Sequence, residues 1–150
     1  MKIVTKKNIT GTLMALAGIM SLVPVYAADM LAIQINMQGS VQAGHATDGQ
    51  RLGQGVIVFH DAHKGFRVWS DGLRYSDLSG RYVLVGSNNP DHRLRVRMEG
   101  EDWQPDNKTG GILLYSGDDI GHFYISVDGE QFVAADRYSL QVNGAAILLD

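Results

Sequence analysis

The chain has 150 residues, with 13 lysines and arginines against 16 acidic residues, a net charge of −3 and no cysteine. This length fits one domain. The negative charge argues against non-specific nucleic-acid binding, and the lack of cysteine excludes disulfides and a thiol nucleophile.

Residues 1–27 are predicted to be a secretory signal peptide. Three lysines form a basic start, the segment ITGTLMALAGIMSLVPV is apolar, and Val25-Tyr26-Ala27 provides small residues at a cleavage site. A membrane anchor is the alternative, but the apolar segment contains two glycines and a proline, and no second basic flank follows it. Cleavage would leave a single domain, residues 28–150, with 10 basic and 16 acidic residues and a net charge of −6.

From residue 31 onward, apolar and polar residues alternate as they do in half-buried strands. The pattern predicts strands at 31–37, 55–60, 66–69, 81–85, 92–98, 112–115, 122–127, 138–142 and 145–149. Turn signals separate them at 71–72, 87–90, 109–111, 128–129 and 143–144. The polar, glycine-rich stretch 38–54 is expected to be a long loop or an irregular edge. Many short strands at this spacing indicate an all-β sandwich or barrel.

Three further positions give structural expectations. Asp136-Arg137-Tyr138, before a late strand, resembles a tyrosine corner, although an ordinary half-buried tyrosine fits equally well. Trp69 lies in a predicted strand and is expected in the core. Trp103, in the polar segment GEDWQP, is expected to be a partly exposed anchor.

Candidate catalytic and metal-binding residues are few. His60, Asp61 and His63 could ligate zinc or copper, but they lie at a strand-to-turn boundary without a second ligand cluster, so a solvated turn is the better interpretation. There is no Gly-x-Ser-x-Gly motif, and the acid pairs Glu99/Glu101 and Asp118/Asp119 fall in expected loops. We therefore predict no catalytic site, no metal and no cofactor.

The segment HRLRVRM predicts a cationic stripe. Leu94, Val96 and Met98 face one way on a strand, while Arg93, Arg95 and Arg97 face the other at about 7 Å intervals. One interpretation is a binding surface for an anionic partner, such as an acidic protein patch or a sulfated glycan. The other is a solvated strand face whose arginines pair with acids on neighbouring strands.

Several segments, in order, resemble the invasin-type minor subunits of Afa/Dr adhesins and of aggregative adherence fimbriae. They are GVIVFHDAHKGFRVW (55–69), RYV (81–83), HRLRVRMEGEDWQP (92–105) and YSLQVNGAA (138–146). The most specific part is Ala62-His63, Gly65-Phe66 and Val68-Trp69. The resemblance implies an incomplete immunoglobulin-like sandwich, assembled through a periplasmic chaperone and an outer-membrane usher and completed by a strand donated from the major subunit.

The resemblance also assigns a role to the C-terminal strand. AAILLD would border the missing strand, and the chaperone and the donor strand would contact Ala145, Ile147, Leu148, Leu149 and Asp150. The family further implies a host integrin as a possible partner. For that contact we assign the arginine stripe with Arg67 and Trp103 nearby.

The same family pattern suggests a place in the fibre. After cleavage only residues 28–30 would precede the first strand, whereas a donated strand needs about ten residues. The chain is therefore expected to accept a strand without giving one, and so to cap the fibre tip. Alternatively, residues 31–37 are themselves the donor extension and the subunit lies within the fibre.

One departure and two other functions complete the expectations. Family members carry a cysteine pair at places that correspond to Phe59 and Ala146, where a large apolar residue facing a small one would fill the same volume. The chain could instead be a self-contained secreted binding module, either an inhibitor or a glycan binder. A small secreted hydrolase that uses the His60/His63 region is the remaining alternative.

Overall fold

The computed structural model describes residues 3–14, 21–23, 31–37 and 42–150. These ranges form strands joined by turns and loops, without a helix, which confirms the all-β prediction. They accordingly contain no helix that is long and apolar enough to cross a bilayer. The strands are β1 (Ile3–Met14), β2 (Ser21–Val23), β3 (Leu31–Met37), β4 (Gly44–Ala46), β5 (Arg51–Phe59), β6 (His63–Trp69), β7 (Arg81–Val85), β8 (Arg93–Glu99), β9 (Gln104–Asp106), β10 (Gly111–Tyr115), β11 (Ile120–Val127), β12 (Gln131–Val133) and β13 (Arg137–Leu148).

The strands build a sandwich of two sheets and a small ribbon. One sheet has the order β1-β13-β6-β10-β9, and the other has the order β2-β3-β5-β11-β8-β7. Strands β4 and β12 form the ribbon. The pairs that link these strands are antiparallel, as expected for a sandwich whose sheets each bury one face.

Beyond residue 30 most strands were predicted from alternation, and three short ones, β4, β9 and β12, were not. The predicted strands at 31–37 and 81–85 match β3 and β7. The expected loop at 38–54 instead contains β4 and the first residues of β5, while β12 had no sequence signal. Residues 38–41 and the predicted cleavage site at 25–27 lie outside the described residues, so the signal-peptide boundary stays a prediction.

The prediction of a turn at Asn143-Gly144 is wrong, because β13 runs without a break from Arg137 to Leu148. A Cβ atom on Gly144 would lie 1.9 Å from Cδ1 of Ile33 and 3.0 Å from Cδ1 of Ile57 in the facing sheet. The glycine therefore lets the two sheets approach closely and does not reverse the chain. The Asn143 amide donates a hydrogen bond to Asp71 at 2.8 Å, which satisfies it within the strand.

The core lies between the two large sheets, and the alternate residues of their strands fill it. Its largest fully buried side chains include Tyr82, Tyr138, Phe59, Phe66 and Phe123. Phe59 and Ala146, the pair predicted to fill the volume of a family cysteine pair, are both fully buried in this one cluster. Trp69 is only half-buried, since Phe66 and Val68 occupy the inward positions of β6.

The tyrosine-corner prediction is confirmed. Tyr138 is fully buried, and its hydroxyl donates a 2.7 Å hydrogen bond to the backbone carbonyl of Ala134, four residues upstream. Burial raises the pKa of this phenol, and the neighbouring Asp136 charge adds to the effect. The bond fixes the path by which the chain enters β13.

Candidate assembly edge and binding face

The outer edge of β13 is paired with a segment near the start of the chain, and this is the longest pairing between two strands among the described residues. Strand β1 pairs antiparallel with β13 from Ile3 opposite Ile147 to Met14 opposite Arg137, with one irregularity between Lys6 and Ile9. On its inner side β13 pairs with β6 only from Asn143 onward. The first half of β13 therefore depends on the outer edge for its regular strand pairing.

The predicted contact residues are distributed along the second half of this strand. Ala145 and Ile147 are fully buried, Leu148 is half-buried and packs against the core, and Leu149 is 55% exposed. Asp150 accepts a hydrogen bond from the Lys64 ammonium at 2.9 Å, and that contact holds the pKa of its carboxyl below the usual value. Of these residues only Leu148 packs against the core cluster, whereas Ala145 and Ile147 are buried outside that cluster and the end of the chain stays at the surface.

The arginine stripe lies on the outer face of the second sheet, as the alternation predicted, but its members differ. Arg97 donates to Asp48 at 2.6 Å, to Glu99 at 2.9 Å and to Asp128 at 3.2 Å. Burial alone would lower the pKa of Arg97, but the bonds to Glu99 and Asp48 outweigh it and raise that pKa. Arg81, directly opposite Arg97 on β7, also binds Asp128. The Arg97 charge is therefore largely neutralised within the sheet.

Arg93 and Arg95 are more available than Arg97 for contact with another molecule. Arg93 is exposed, and no hydrogen bond or ion pair engages its side chain in the described part of the chain. The Arg95 guanidinium lies 6.0 Å from the ring centroid of Tyr75 and donates weakly to the Glu130 carbonyl at 3.4 Å. This part of the face combines two guanidiniums with exposed apolar side chains, since Tyr75 is 41% exposed and Leu73 on the same loop is 55% exposed.

The structure does not bring Arg67 to this face. Arg67 lies on β6 in the other sheet, is 7% exposed, and forms a buried ion pair with Asp106 at 3.1 Å. Its partner Asp106 ends β9, which lies two places away in the same sheet. Trp103 also lies apart from Arg93 and Arg95: it is half-buried against the core, and its indole donates to the His122 carbonyl at 2.6 Å.

The candidate metal ligands His60 and His63 are engaged in contacts with other parts of the protein. Both ring nitrogens of His63 lie within 2.7–2.9 Å of backbone carbonyls, those of Asp61 and Asp118, and the ring packs between Phe59 and Phe66. His60 pairs with Asp119 at 2.8 Å. Within the described ranges no three histidine or acidic residues are arranged to hold a metal ion.

Comparison with known proteins gives the same family as the sequence motifs. The family described as Enterobacteria AfaD invasin protein matches residues 42–144, which include most of the sandwich. The chain belongs to the AfaD invasin family. It is 33% identical to protein AfaD of Escherichia coli over 103 residues, which are 67% of this chain and 69% of that protein.

Solved structures support the assignment of this AfaD-family chain. The Salmonella SafD adhesin superposes with a TM-score of 0.77 at 37% identity, covering 80% of this chain and 86% of its own. HdaB, the minor tip subunit of the E. coli Hda pilus, gives 0.73 at 30% identity, covering 80% and 85%. The resemblance to invasin-type minor subunits of chaperone–usher fimbriae and the immunoglobulin-like fold are thus confirmed.

Sequence reasoning missed two features of this AfaD-family chain. The first is Asp136, whose buried carboxylate joins the loop after β7 to the start of β13. The second is a cavity beside Trp103, lined by residues from two strands and two turns. The motif GEDWQP was the only sequence signal for the cavity, because its other residues come together only through the sheet pairing.

Proposed function

We propose that this chain is an exported, non-enzymatic minor subunit of a fimbrium, which accepts a strand from the major subunit at the outer edge of β13 and contributes to host-cell adhesion and entry. The observation that carries the proposal is the identity of the segment now on that edge. It is Ile3–Met14, which lies inside the predicted signal peptide. Export with cleavage after Ala27 would remove it and leave β13 unpaired on one side.

An open edge of this kind needs a partner. Unpaired backbone along Arg137–Ile147 would be a template for strand addition. A donor that buries about five apolar side chains contributes roughly 8–15 kcal/mol, which is as large as the net stability of about 5–15 kcal/mol of a whole domain. The chaperone would occupy the edge first, contacting Ala145, Ile147, Leu148, Leu149 and Asp150, and the major subunit would replace it after passage through the usher.

The relatives support a position at the fibre tip. HdaB, at 30% identity, is a minor tip subunit. Strand β3, at Leu31–Met37, pairs with β5 along its whole length inside the second sheet. That pairing supports the interpretation in which residues 31–37 belong to the domain, and it disfavours a donor extension. A subunit that accepts a strand without giving one would cap the fibre.

Folding behaviour tests strand acceptance. Residues 28–150 are produced alone, and again with the N-terminal segment of the major subunit fused at the C-terminus through a short linker. We expect cooperative unfolding and a monomer only for the fused protein, because only there is β13 paired on both sides. A matched fusion whose donor carries threonine at its inward apolar positions should behave like the unfused chain. A stable, cooperative monomer of the unfused chain would overturn the proposal.

For the host-facing surface we propose Arg93 and Arg95, with a β1-type integrin as the partner that the family resemblance suggests. These two guanidiniums are the available part of the stripe, whereas Arg97 is tied to Asp48, Glu99 and Asp128. R93A/R95A in a donor-complemented subunit should weaken cell binding, most at low salt, because exposed charges are screened. Binding equal to that of the parent, with unchanged folding, would exclude this surface. The control K108A removes an exposed cation from the turn between β9 and β10, away from the β13 edge.

A further inference from the structure

A cavity of about 460 Å³ lies away from both β13 and the arginine stripe. It is bounded by the end of β10, the start of β11 and the turn that follows β8. Its lining combines aromatic and aliphatic side chains with carboxylates, and the residues that matter are Glu101, Asp102, Trp103, Tyr115, Asp118 and Ile120. The volume falls in the range of sites that take a small ligand or a single large side chain.

Trp103 is firmly held at one wall. A Cβ atom on Gly100 would lie 2.5 Å from Cδ1 of the indole, and one on Gly121 would lie 3.2 Å from its Cζ2, so both positions leave room for the ring. The indole packs edge-on against Phe123, with 5.8 Å between ring centroids, and its N–H is bound to the His122 carbonyl. The ring is therefore a fixed aromatic surface and not a mobile side chain.

Two other apolar side chains of the cavity are exposed to a degree that is unusual for their size. Tyr115 is 59% exposed and Ile120 is 47% exposed, and they end β10 and begin β11. Large apolar side chains grouped in a concave site mark a contact surface more often than scattered exposed ones do. Apolar contact is thus available beside the indole.

The charge of the cavity is one-sided. Glu101, Asp102 and Asp118 line it, and neither lysine nor arginine does. Their carboxylates have no hydrogen bond or ion pair within the part of the chain that the structure describes. Asp102 has φ of +63°, the one positive value among the described non-glycine residues. Glycine would adopt this φ with less strain than aspartate. The aspartate at this position places a carboxylate at the rim of the cavity.

The structure already contains the type of contact that such a cavity favours. At its edge the Arg51 guanidinium stacks on Tyr124, 3.5 Å from the ring centroid. Trp103 and Tyr115 have no such cation among the described residues. Aromatic faces attract guanidinium groups, and carboxylates bind them with paired hydrogen bonds. A planar, weakly hydrated guanidinium suits this combination better than an ammonium does.

We propose that this cavity binds the side chain of an arginine in a basic, extended segment of another protein. The guanidinium lies against Trp103 and Tyr115, the carboxylates of Glu101, Asp102 and Asp118 provide the opposite charge, and the aliphatic stem contacts Ile120. The inference does not depend on strand acceptance, because the cavity is intact in the full chain, where β1 fills the β13 edge.

The test uses the full 150-residue chain and a capped tripeptide with a central arginine, followed by NMR of the amides that line the cavity and of the Trp103 indole. We expect saturable shifts at about millimolar peptide. The neutral isostere with citrulline should give none. E101Q/D118N, which preserves the shape and removes two charges, should weaken binding about five- to tenfold at low salt.

The matched control is D91N/E130Q, which also removes two exposed charges but lies at the other end of β8 and β11. It should bind the arginine peptide as the parent does. Three results would overturn the proposal: equal shifts with the citrulline peptide, unchanged affinity of E101Q/D118N, or binding of neutral oligosaccharides without binding of the arginine peptide. The last result would assign the cavity to glycans instead.

Discussion

Asp136 joins two parts of the chain that are far apart in sequence. Its carboxylate accepts hydrogen bonds from the backbone N–H groups of Asn88, Asn89 and Arg137 and from the His92 ring. We predict that D136N lowers the melting temperature of the full chain by about 5 °C or more, because amide oxygen accepts these bonds less strongly than a carboxylate does. Thermal unfolding followed by circular dichroism measures the change.

The contribution of Asp136 to the stability of the protein depends on pH. Burial by itself would raise the pKa of Asp136, but the hydrogen bonds outweigh it and hold the pKa well below its usual value of 3.8. A carboxyl with a lowered folded-state pKa stabilises the protein above its unfolded pKa and loses that contribution as the pH falls. The difference in melting temperature between parent and D136N should be constant from pH 5 to 7 and shrink below about pH 4. A difference that stays constant to pH 2 would contradict this account, and D91N serves as the exposed control.

Arg67 and Asp106 form an ion pair inside the fold. Both side chains are buried, and Asp106 also accepts bonds from the Lys108 N–H and the Thr109 hydroxyl. R67M should lower the free energy of unfolding by about 3 kcal/mol, because it leaves a buried carboxylate without its counter-charge. Adding D106N should recover part of that loss in urea denaturation. R93M, on the exposed stripe, should change stability by less than about 0.5 kcal/mol.

Strand β13 depends on close approach to the facing sheet at Gly144. G144A places a methyl group against Ile33 and should cost about 1–3 kcal/mol through overpacking. The double variant G144A/I33V removes the Cδ1 atom that the new methyl meets, and it should be more stable than G144A alone. If Gly144 were instead needed for a turn, I33V would add to the loss. Urea denaturation of the four proteins of this cycle distinguishes the two outcomes.

Alternation predicted the elements well where one face is buried and the other is solvated. It located β3 and β7 residue for residue, because their inward and outward positions differ in polarity. It failed in β13, where residues 142–147 are buried on both faces and Asn-Gly has the composition of a hairpin turn. The close approach that explains Gly144 involves residues 33 and 57, which no local pattern connects to it.

At the scale of the whole molecule, hydrogen exchange should report the state of the β13 edge. In the full chain the amides of 137–147 that face β1 are expected to exchange slowly, since they are paired. In residues 28–150 without a donor they should exchange quickly, while the amides of β5 and β11 keep more of their protection. A donor peptide should restore the slow exchange. Equal protection of these amides with and without residues 1–27 would show that the edge needs no partner.

The functional surfaces were predictable only in part. The arginine stripe follows from the period of a single strand, so its position on the outer face was evident in HRLRVRM. The neutralisation of Arg97 was not evident from the sequence, because its acidic partners come from residues 48 and 128 as well as from 99. The burial of Arg67 depends on Asp106, on a strand that pairs two places away in the sheet. Such contacts require the sheet order, which alternation does not specify.

The antiparallel register on the outer edge of β13 has a mechanical consequence. A strand that lies along Arg137–Ile147 as β1 does is matched at ten positions. A pull along the axis of such a strand loads its hydrogen bonds together, in shear, whereas a sideways pull opens them one after another. A link between subunits built in this way would resist tension along a fibre far better than it would resist peeling.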